Sequence, residues 1–302
     1  MRIAVTGGTG FIGRYILRQL ASEGHQLRAW HRPSSDRSGL DDIAGQIDWV
    51  LAKLGVPADA ADLVAGCDAV VHAALFHPGG RFQAGEGELI PFCQTNIIGT
   101  LQLIEAARQA DVKRFVFISS CAVHDKILQD RPLDETHPTW AASHYGAHKA
   151  AVEQFVYSFG LGQQYPICAL RPTGVYGADH PIDQSKWFDL VARVAQGESV
   201  SCESGGKEVH ASDVARAASL LLTADAESIR GEAFNCYDRY VSQHEVATLA
   251  KRISGSDADI RGKLTSPKHQ IQTDKIRSLG MQFGGAAQLE STIAELVKAQ
   301  PG

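Results

Sequence analysis

Thr6-Gly7-Gly8-Thr9-Gly10-Phe11-Ile12-Gly13 follows directly on the apolar run Ile3-Ala4-Val5. A short strand over 2–6 enters a glycine-rich turn, and apolar Tyr15, Ile16 and Leu20 then mark a helix. Such a unit aims backbone N–H groups and the positive end of a helix at a diphosphate. Gly7 and Gly8 allow a turn with positive φ. Gly10 leaves room for a pyrophosphate to approach the backbone, and Gly13 lets the helix pack on the strand. The context of strand before and helix after makes this a dinucleotide-binding turn rather than a loop rich in glycine.

Working outward, apolar strand-like runs at 2–6, 27–31, 47–51, 69–73, 115–119 and 167–170 alternate with helical patterns at 11–23, 59–66, 94–110 and 144–160. Nearly continuous apolar strands separated by helices imply a parallel sheet covered on both faces. The fold class expected is α/β, a Rossmann-type doubly wound parallel sheet, with ligands at the carboxyl ends of the strands. Past Pro172 strands become sparse, apart from one at 232–236, and helices are expected at 184–196, 211–223, 242–254 and 288–298. The division expected is a nucleotide-binding domain over 1–172, to which 210–236 returns. A smaller C-terminal substrate-binding lobe takes 173–209 and 237–302. Segment 76–91, with Phe76, His77, Arg81 and Phe82 among four glycines, is the candidate wall of an active site.

The 302 residues are 44% hydrophobic and 21% charged, as in soluble globular proteins, and the net charge of −5 offers nothing to nucleic acid or an anionic membrane. No apolar run approaches the ~20 residues that span a bilayer. The six cysteines form no C-x-x-C pair, so neither a zinc site nor a disulfide framework is expected, and a reducing cytoplasm fits. His144 and His148 share a helix face, but no third ligand stands at a recognisable spacing, so no metal is expected.

Tyr145 and Lys149 are four residues apart at the start of a helical run, which puts both side chains on one face. An ammonium about 5 Å from a phenol, at an effective dielectric near 20, favours phenolate by roughly 3 kcal/mol, about two pKa units. Ser119 and Ser120 end the strand Phe115-Val116-Phe117-Ile118, where a hydroxyl can bind a carbonyl that the tyrosine protonates.

These motifs together resemble the extended short-chain dehydrogenases/reductases, the NAD(P)-dependent epimerase/dehydratase group. The resemblance runs through Thr6–Gly13, Val70-Val71-His72-Ala73-Ala74, Asn96-Ile97-Ile98-Gly99-Thr100, Tyr145–Lys149, Leu170-Arg171-Pro172-Thr173-Gly174-Val175-Tyr176-Gly177 and Val209-His210-Ala211-Ser212-Asp213. It implies Ser120 as the catalytic hydroxyl, Tyr145 as the acid/base and Lys149 as its partner and ribose ligand. Cofactor contacts are implied at Gly7, Thr9, Gly10, Phe11, Ile12 and Gly13, then at Leu54, Ala73, Ala74 and Ser119, and past the nicotinamide at Pro172 and Thr173. Substrate contacts are expected at Phe76, His77, Cys121 and Trp187. It also implies a homodimer through the helices at 94–110 and 144–160.

The chain departs from the pattern at three places. Dehydratases of the group carry Asp-Glu after the catalytic hydroxyl, where this chain has Cys121-Ala122. An Asp-Leu pair beside the adenine is replaced by Lys53-Leu54, and His124 stands where relatives have tyrosine. The second strand ends Trp30-His31-Arg32 with no carboxylate before Asp36, so Arg32 is expected to pair with a 2′-phosphate. The expectation is an oxidoreductase acting on a secondary alcohol or ketone, of a sugar or nucleotide-sugar, with NADP favoured over NAD. An epimerase that retains its cofactor is the alternative, and a non-enzymatic NADP sensor the next.

Overall fold

The computed structural model describes residues 1–78 and 85–300. Arg81 and Phe82 of the expected site wall lie outside them. In chain order come β1 (Arg2–Thr6), α1 (Phe11–Ser22), β2 (Gln26–His31), β3 (Ile47–Leu51), α2 (Pro57–Val64), β4 (Ala69–His72), α3 (Leu89–Cys93) and α4 (Gly99–Gln109). They are followed by β5 (Arg114–Ile118), α5 (His144–Tyr157), β6 (Ile167–Pro172), β7 (Gly174–Tyr176), α6 (Phe188–Ala195), β8 (Val200–Cys202) and β9 (Gly205–His210). The chain continues through α7 (Ala211–Thr223), α8 (Ala226–Ile229), β10 (Glu232–Cys236), β11 (Arg239–Ser242), α9 (Gln243–Ser254), β12 (Ile260–Gly262), α10 (Asp274–Ser278) and α11 (Gly285–Lys298).

The first compact unit comprises Met1–Pro172, Val214–Cys236 and Ile271–Met281. Its sheet has seven strands in the order β10-β6-β5-β4-β1-β2-β3. Every pairing in it is parallel, with Val5 beside Ala29 on one side and Val71 on the other. The order reverses between β1 and β4, the switch point at which doubly wound sheets hold ligands. On one face Leu63 and Val64 of α2, Leu103 and Ile104 of α4, and Val152 and Val156 of α5 pack on Val70, Phe115, Phe117 and Ile167. Both faces of the strands are covered, which is why β1, β4 and β5 read as apolar runs without alternation.

The expected helix over 94–110 is interrupted. A π-helical turn, Gln94–Ile98, lies between α3 and α4. It turns Asn96 inward, where its amide meets the segment after β4. Such insertions leave no mark on hydrophobic spacing.

The second unit comprises Thr173–Asp213, Tyr237–Gln270 and Gln282–Gly302. Strands are not sparse in it: β11-β9-β7 form one sheet and β12-β8 another. They run three to six residues and include Gly205-Gly206-Lys207-Glu208, which has no apolar alternation to read. Its core joins Tyr176, Val191 and Val194 to Val246, Leu289 and Ile293 of α9 and α11.

The glycine turn is held by close backbone packing. Gly7 has φ +72°, and a Cβ there would lie 2.7 Å from the Ala73 carbonyl carbon. A Cβ on Gly13 would sit 1.9 Å from the Gly7 oxygen. Gly8 is not at positive φ; its neighbour is the Leu17 side chain, 2.9 Å from a built Cβ. A Cβ at Gly10 would meet only the Gly7 oxygen, at 3.4 Å. Gly13→Ala is therefore expected to lower the melting temperature by more than ~5 °C or prevent folding, and Gly10→Ala to change it by less than ~2 °C. Scanning calorimetry of the two variants separates them.

Candidate active site

The turn and the end of β4 are joined by a buried chain of hydrogen bonds whose polarity can be assigned. The Thr100 hydroxyl donates to the Asn96 carbonyl (2.6 Å), so it accepts from His72 Nε2 (2.8 Å). His72 Nδ1 is then the unprotonated nitrogen and accepts from the Thr6 hydroxyl (2.6 Å), which itself accepts the Ala74 N–H (3.1 Å). Burial, with Lys149 adding to it, pulls the His72 pKa down to about 3, so the ring is neutral. The chain sets the backbone at Ala73 and Ala74 against Gly7. Asn96 continues it, accepting the Phe76 N–H and donating to the Phe76 carbonyl, both at 2.8 Å.

Helix α1 starts at Gly10 without a side-chain cap, so the first-turn N–H groups of Phe11 and Ile12 have no acceptor within the helix. Buried Arg14 staples this turn to the segment after β2. It donates to the carbonyls of Thr9 (3.1 Å), Ser38 (2.6 Å) and Asp36 (2.8 Å). Arg32 is exposed on that segment, and its guanidinium has no hydrogen-bond or ion-pair partner among the described residues. Leu54 is half-buried against the core, and the Lys53 N–H is held by the Asp59 carboxylate at 2.7 Å.

Helix α5 is capped by Ser143, whose hydroxyl accepts the Gly146 N–H. Burial raises the Tyr145 pKa, and the neighbouring Ser120 hydroxyl works the other way. Lys149 is not the expected phenolate stabiliser in this geometry. Its Nζ donates to the Ile118 carbonyl at 2.7 Å and stands 5.9 Å from the centre of the Tyr145 ring. Desolvation pulls Lys149 down to about 7, against the attraction of Glu153. No second acceptor for this buried ammonium occurs among the described residues.

Behind these residues lies an ionic cluster that the motifs did not disclose. Arg171 and Glu153 are both buried and pair through Nη2 and Oε2 at 2.6 Å, with Nε within 3.1 Å of both carboxylate oxygens. Ser119 donates to the same carboxylate. Arg171 Nη1 donates to His124 Nε2 at 3.3 Å, and His124 Nδ1 donates to the Pro138 carbonyl at 3.2 Å. A guanidinium only donates and a carbonyl only accepts, so the tautomer is fixed. Burial, then Arg171, holds the His124 pKa down at about 4. His124 thus has a place, as an acceptor that completes the arginine. The Cys121 thiol donates to the Arg171 carbonyl at 3.1 Å. One sequence signal did exist: Glu153 follows Lys149 by a further four residues on α5.

Phe76 is half-buried and fixed by Asn96, and His77 follows it. Pro172 ends β6, beside Cys236 of β10. Thr173 and Trp187 belong to the second unit, where Trp187 packs on Tyr176 with ring centres 5.3 Å apart. There too, Asp213 accepts the Gly284 N–H at 3.1 Å. His148 turns inward, edge-on to Phe92 at 5.0 Å.

The model of the NAD dependent epimerase/dehydratase family matches residues 3–236. The chain belongs to this family. Its relatives are named as epimerases, dehydratases and reductases, and this chain is an NAD(P)-dependent enzyme. A ketoreductase of Stigmatella aurantiaca, acting on 4-hydroxy-2-methyl-3-oxo-4-farnesyl-3,4-dihydroquinoline-1-oxide, is 30% identical over 78% of this chain and 76% of its own. A UDP-glucose 4-epimerase of Rhizobium leguminosarum bv. trifolii is 30% identical over 61% of this chain and 55% of its own. The fold matches that of a UDP-glucose 4-epimerase of Thermotoga maritima, solved with UDP-glucose. Their TM-score is 0.80 at 23% identity, covering 99% of this chain and 98% of that one.

Three neutral histidines of the first unit make its stability sensitive to acid. His72, His124 and His148 have pKa values of about 3, 4 and 2, each lowered first by desolvation. Unfolded, they titrate near 6.5. Between pH 6.5 and 5 the unfolded chain therefore binds more protons, so stability falls as pH falls. The urea midpoint should drop across that window with uptake of up to three histidine protons, measurable by unfolding at a series of pH values.

Proposed function

We propose that the protein transfers hydride reversibly between a nicotinamide cofactor and a secondary alcohol or ketone, through Ser120, Tyr145 and Lys149. The observation that carries this reading is the Ser120 hydroxyl beside the Tyr145 phenol, one helical turn from a buried ammonium whose one acceptor among the described residues is the Ile118 carbonyl. The Ser120 hydroxyl binds the substrate oxygen. Tyr145, whose raised pKa keeps it protonated at neutral pH, donates the proton to that oxygen in reduction and takes it back in oxidation. Lys149 has N–H groups left for the ribose hydroxyls. The cofactor, when bound, supplies or accepts the hydride at the carbon.

The residues fit such a cofactor. Gly7 and Gly13 are required by the protein's own packing, but Gly10 is not, and a glycine that the protein does not need suits close approach of a pyrophosphate to the first turn of α1. Arg32 favours NADP, as a cation at the end of β2 with no partner among the described residues. Charge-assisted hydrogen bonds to a phosphate contribute about 1.5–3 kcal/mol, so NADP should bind roughly tenfold to a hundredfold more tightly than NAD. Arg32→Ala should remove most of the difference. Fluorescence titration with both reduced cofactors decides it, and tighter binding of NADH to the native protein counts against the assignment.

For the substrate we propose a sugar or nucleotide-sugar, with a small non-sugar carbonyl compound next. The likeness to UDP-glucose 4-epimerases supports the first and the longer match to a ketoreductase the second. Epimerisation with retained cofactor uses the same three residues. Dehydration is not proposed, because a thiol and a methyl group stand at Cys121-Ala122, where two carboxyl groups would expel water. A homodimer is supported by the exposed apolar side chains Leu89, Ile90, Ile98, Phe155 and Leu161 on α3, on α5 and on the π turns Gln94–Ile98 and Ser158–Gly162 that follow them.

The test is a panel of UDP-glucose, UDP-galactose, dTDP-glucose and ethyl acetoacetate, followed by cofactor absorbance and product mass. Net cofactor consumption marks a reductase, and exchange of epimers without it marks an epimerase. A product lighter by one water would overturn the reading. Tyr145→Phe should lower turnover at least ~10²-fold, the usual size of general acid–base catalysis, with cofactor affinity kept.

A further inference from the structure

We propose that Glu86 is a positioning residue for Tyr145, acting through the backbone of helix α5. This rests on the role given to Tyr145 above. Glu86 lies 59 residues before Tyr145 in the chain, and its Oε1 accepts the Tyr145 N–H at 3.1 Å. The carboxylate is buried.

The first turn of α5 depends on this contact. A helix leaves its first N–H groups without internal acceptors. Ser143 satisfies Gly146, and α5 has no acidic residue in its own first turn. The Tyr145 N–H, and much of the positive end of the helix, therefore fall to Glu86. On its other side the turn is pressed against the residues after Ser120: a Cβ on Gly146 would lie 2.2 Å from the Ala122 carbonyl oxygen. The turn that carries the phenol is thus clamped between Ala122 and Glu86, and its height sets how the phenol meets Ser120.

Glu86 is itself held in place. Gly87 adopts φ +68°, and a Cβ there would come within 2.7 Å of Pro78 Cγ. Two residues before Pro78, Phe76 is fixed through both backbone groups to Asn96. The π turn that carries Asn96 thus reaches the tyrosine through Phe76 and Glu86.

The variants Glu86→Gln, Glu86→Asp and Glu86→Ala test this. Glutamine keeps an oxygen at the same reach, aspartate withdraws it by one methylene, and alanine removes it. In substrate-free protein, the Tyr145 amide should exchange as in the wild type for Gln, and progressively faster for Asp and Ala. Misplacement of a reacting group by about 1 Å can cost ~10²-fold. With NADPH and the most active compound of the panel above, kcat should fall tenfold to a hundredfold in Ala and less in Asp. It should stay within about threefold of wild type in Gln, with KM and NADPH affinity little changed in all three. Should the alanine variant not fold, the ranking of Gln over Asp decides. Equal losses in Gln and Asp, or Tyr145 amide exchange indifferent to the substitution, would overturn the proposal. Failure of the acid–base reading shows separately, as turnover retained in Tyr145→Phe with Glu86 intact.

Discussion

The buried pair of Glu153 and Arg171 is the constraint on which the rest of the site depends. It ties the middle of α5 to the end of β6, and through Ser119 to the end of β5. Those three elements carry Lys149, Ser120 and the strand leading to Pro172. Taking two charges out of water is costly, and removing one partner of such a pair leaves the other uncompensated. Here the guanidinium also donates to His124 and the carboxylate also accepts from Ser119, so both ions are well supplied. Desolvation works against the charge on Arg171, and Glu153 outweighs it.

That cluster also sets the electrostatics on either side of it. Glu153 favours the charged form of Lys149, but one hydroxyl and a guanidinium already occupy the carboxylate, and burial still brings the lysine down to about 7. His72 and His124 stay neutral, held by partners that fix their tautomers. A lysine poised near neutrality beside neutral histidines makes the site responsive to any anionic or hydroxyl-bearing group that enters it. The raised pKa of Tyr145 keeps the phenol protonated but makes it a weaker acid, so electrostatic help toward phenolate has to come from outside this set of side chains.

Much of the site was legible because its geometry is local. Tyr145 and Lys149 share a face at a spacing of four, Ser120 ends an apolar strand, and Gly7 to Gly13 follow another. Other features were hidden because they depend on contacts far apart in sequence. His72 in an apolar strand reads as an ordinary core residue until Thr6 and Thr100 are seen on its two nitrogens. Arg171 inside an apolar strand reads as a misfit until Glu153 is beside it. His124 had no account without Arg171, and Glu86 gave no sign of meeting α5.

The sequence by itself determined the parallel sheet and the glycine turn and pointed to Ser120, Tyr145 and Lys149 as candidates, since strand burial, close backbone approach and helical spacing are written in neighbouring residues. Only the tertiary structure decided that Gly8 has ordinary φ, that a π turn carries Asn96, and that the second unit holds five short strands. It alone also decided which polar groups satisfy one another beneath the site. Such choices turn on which distant groups are excluded from water together, and a one-dimensional pattern holds no record of that.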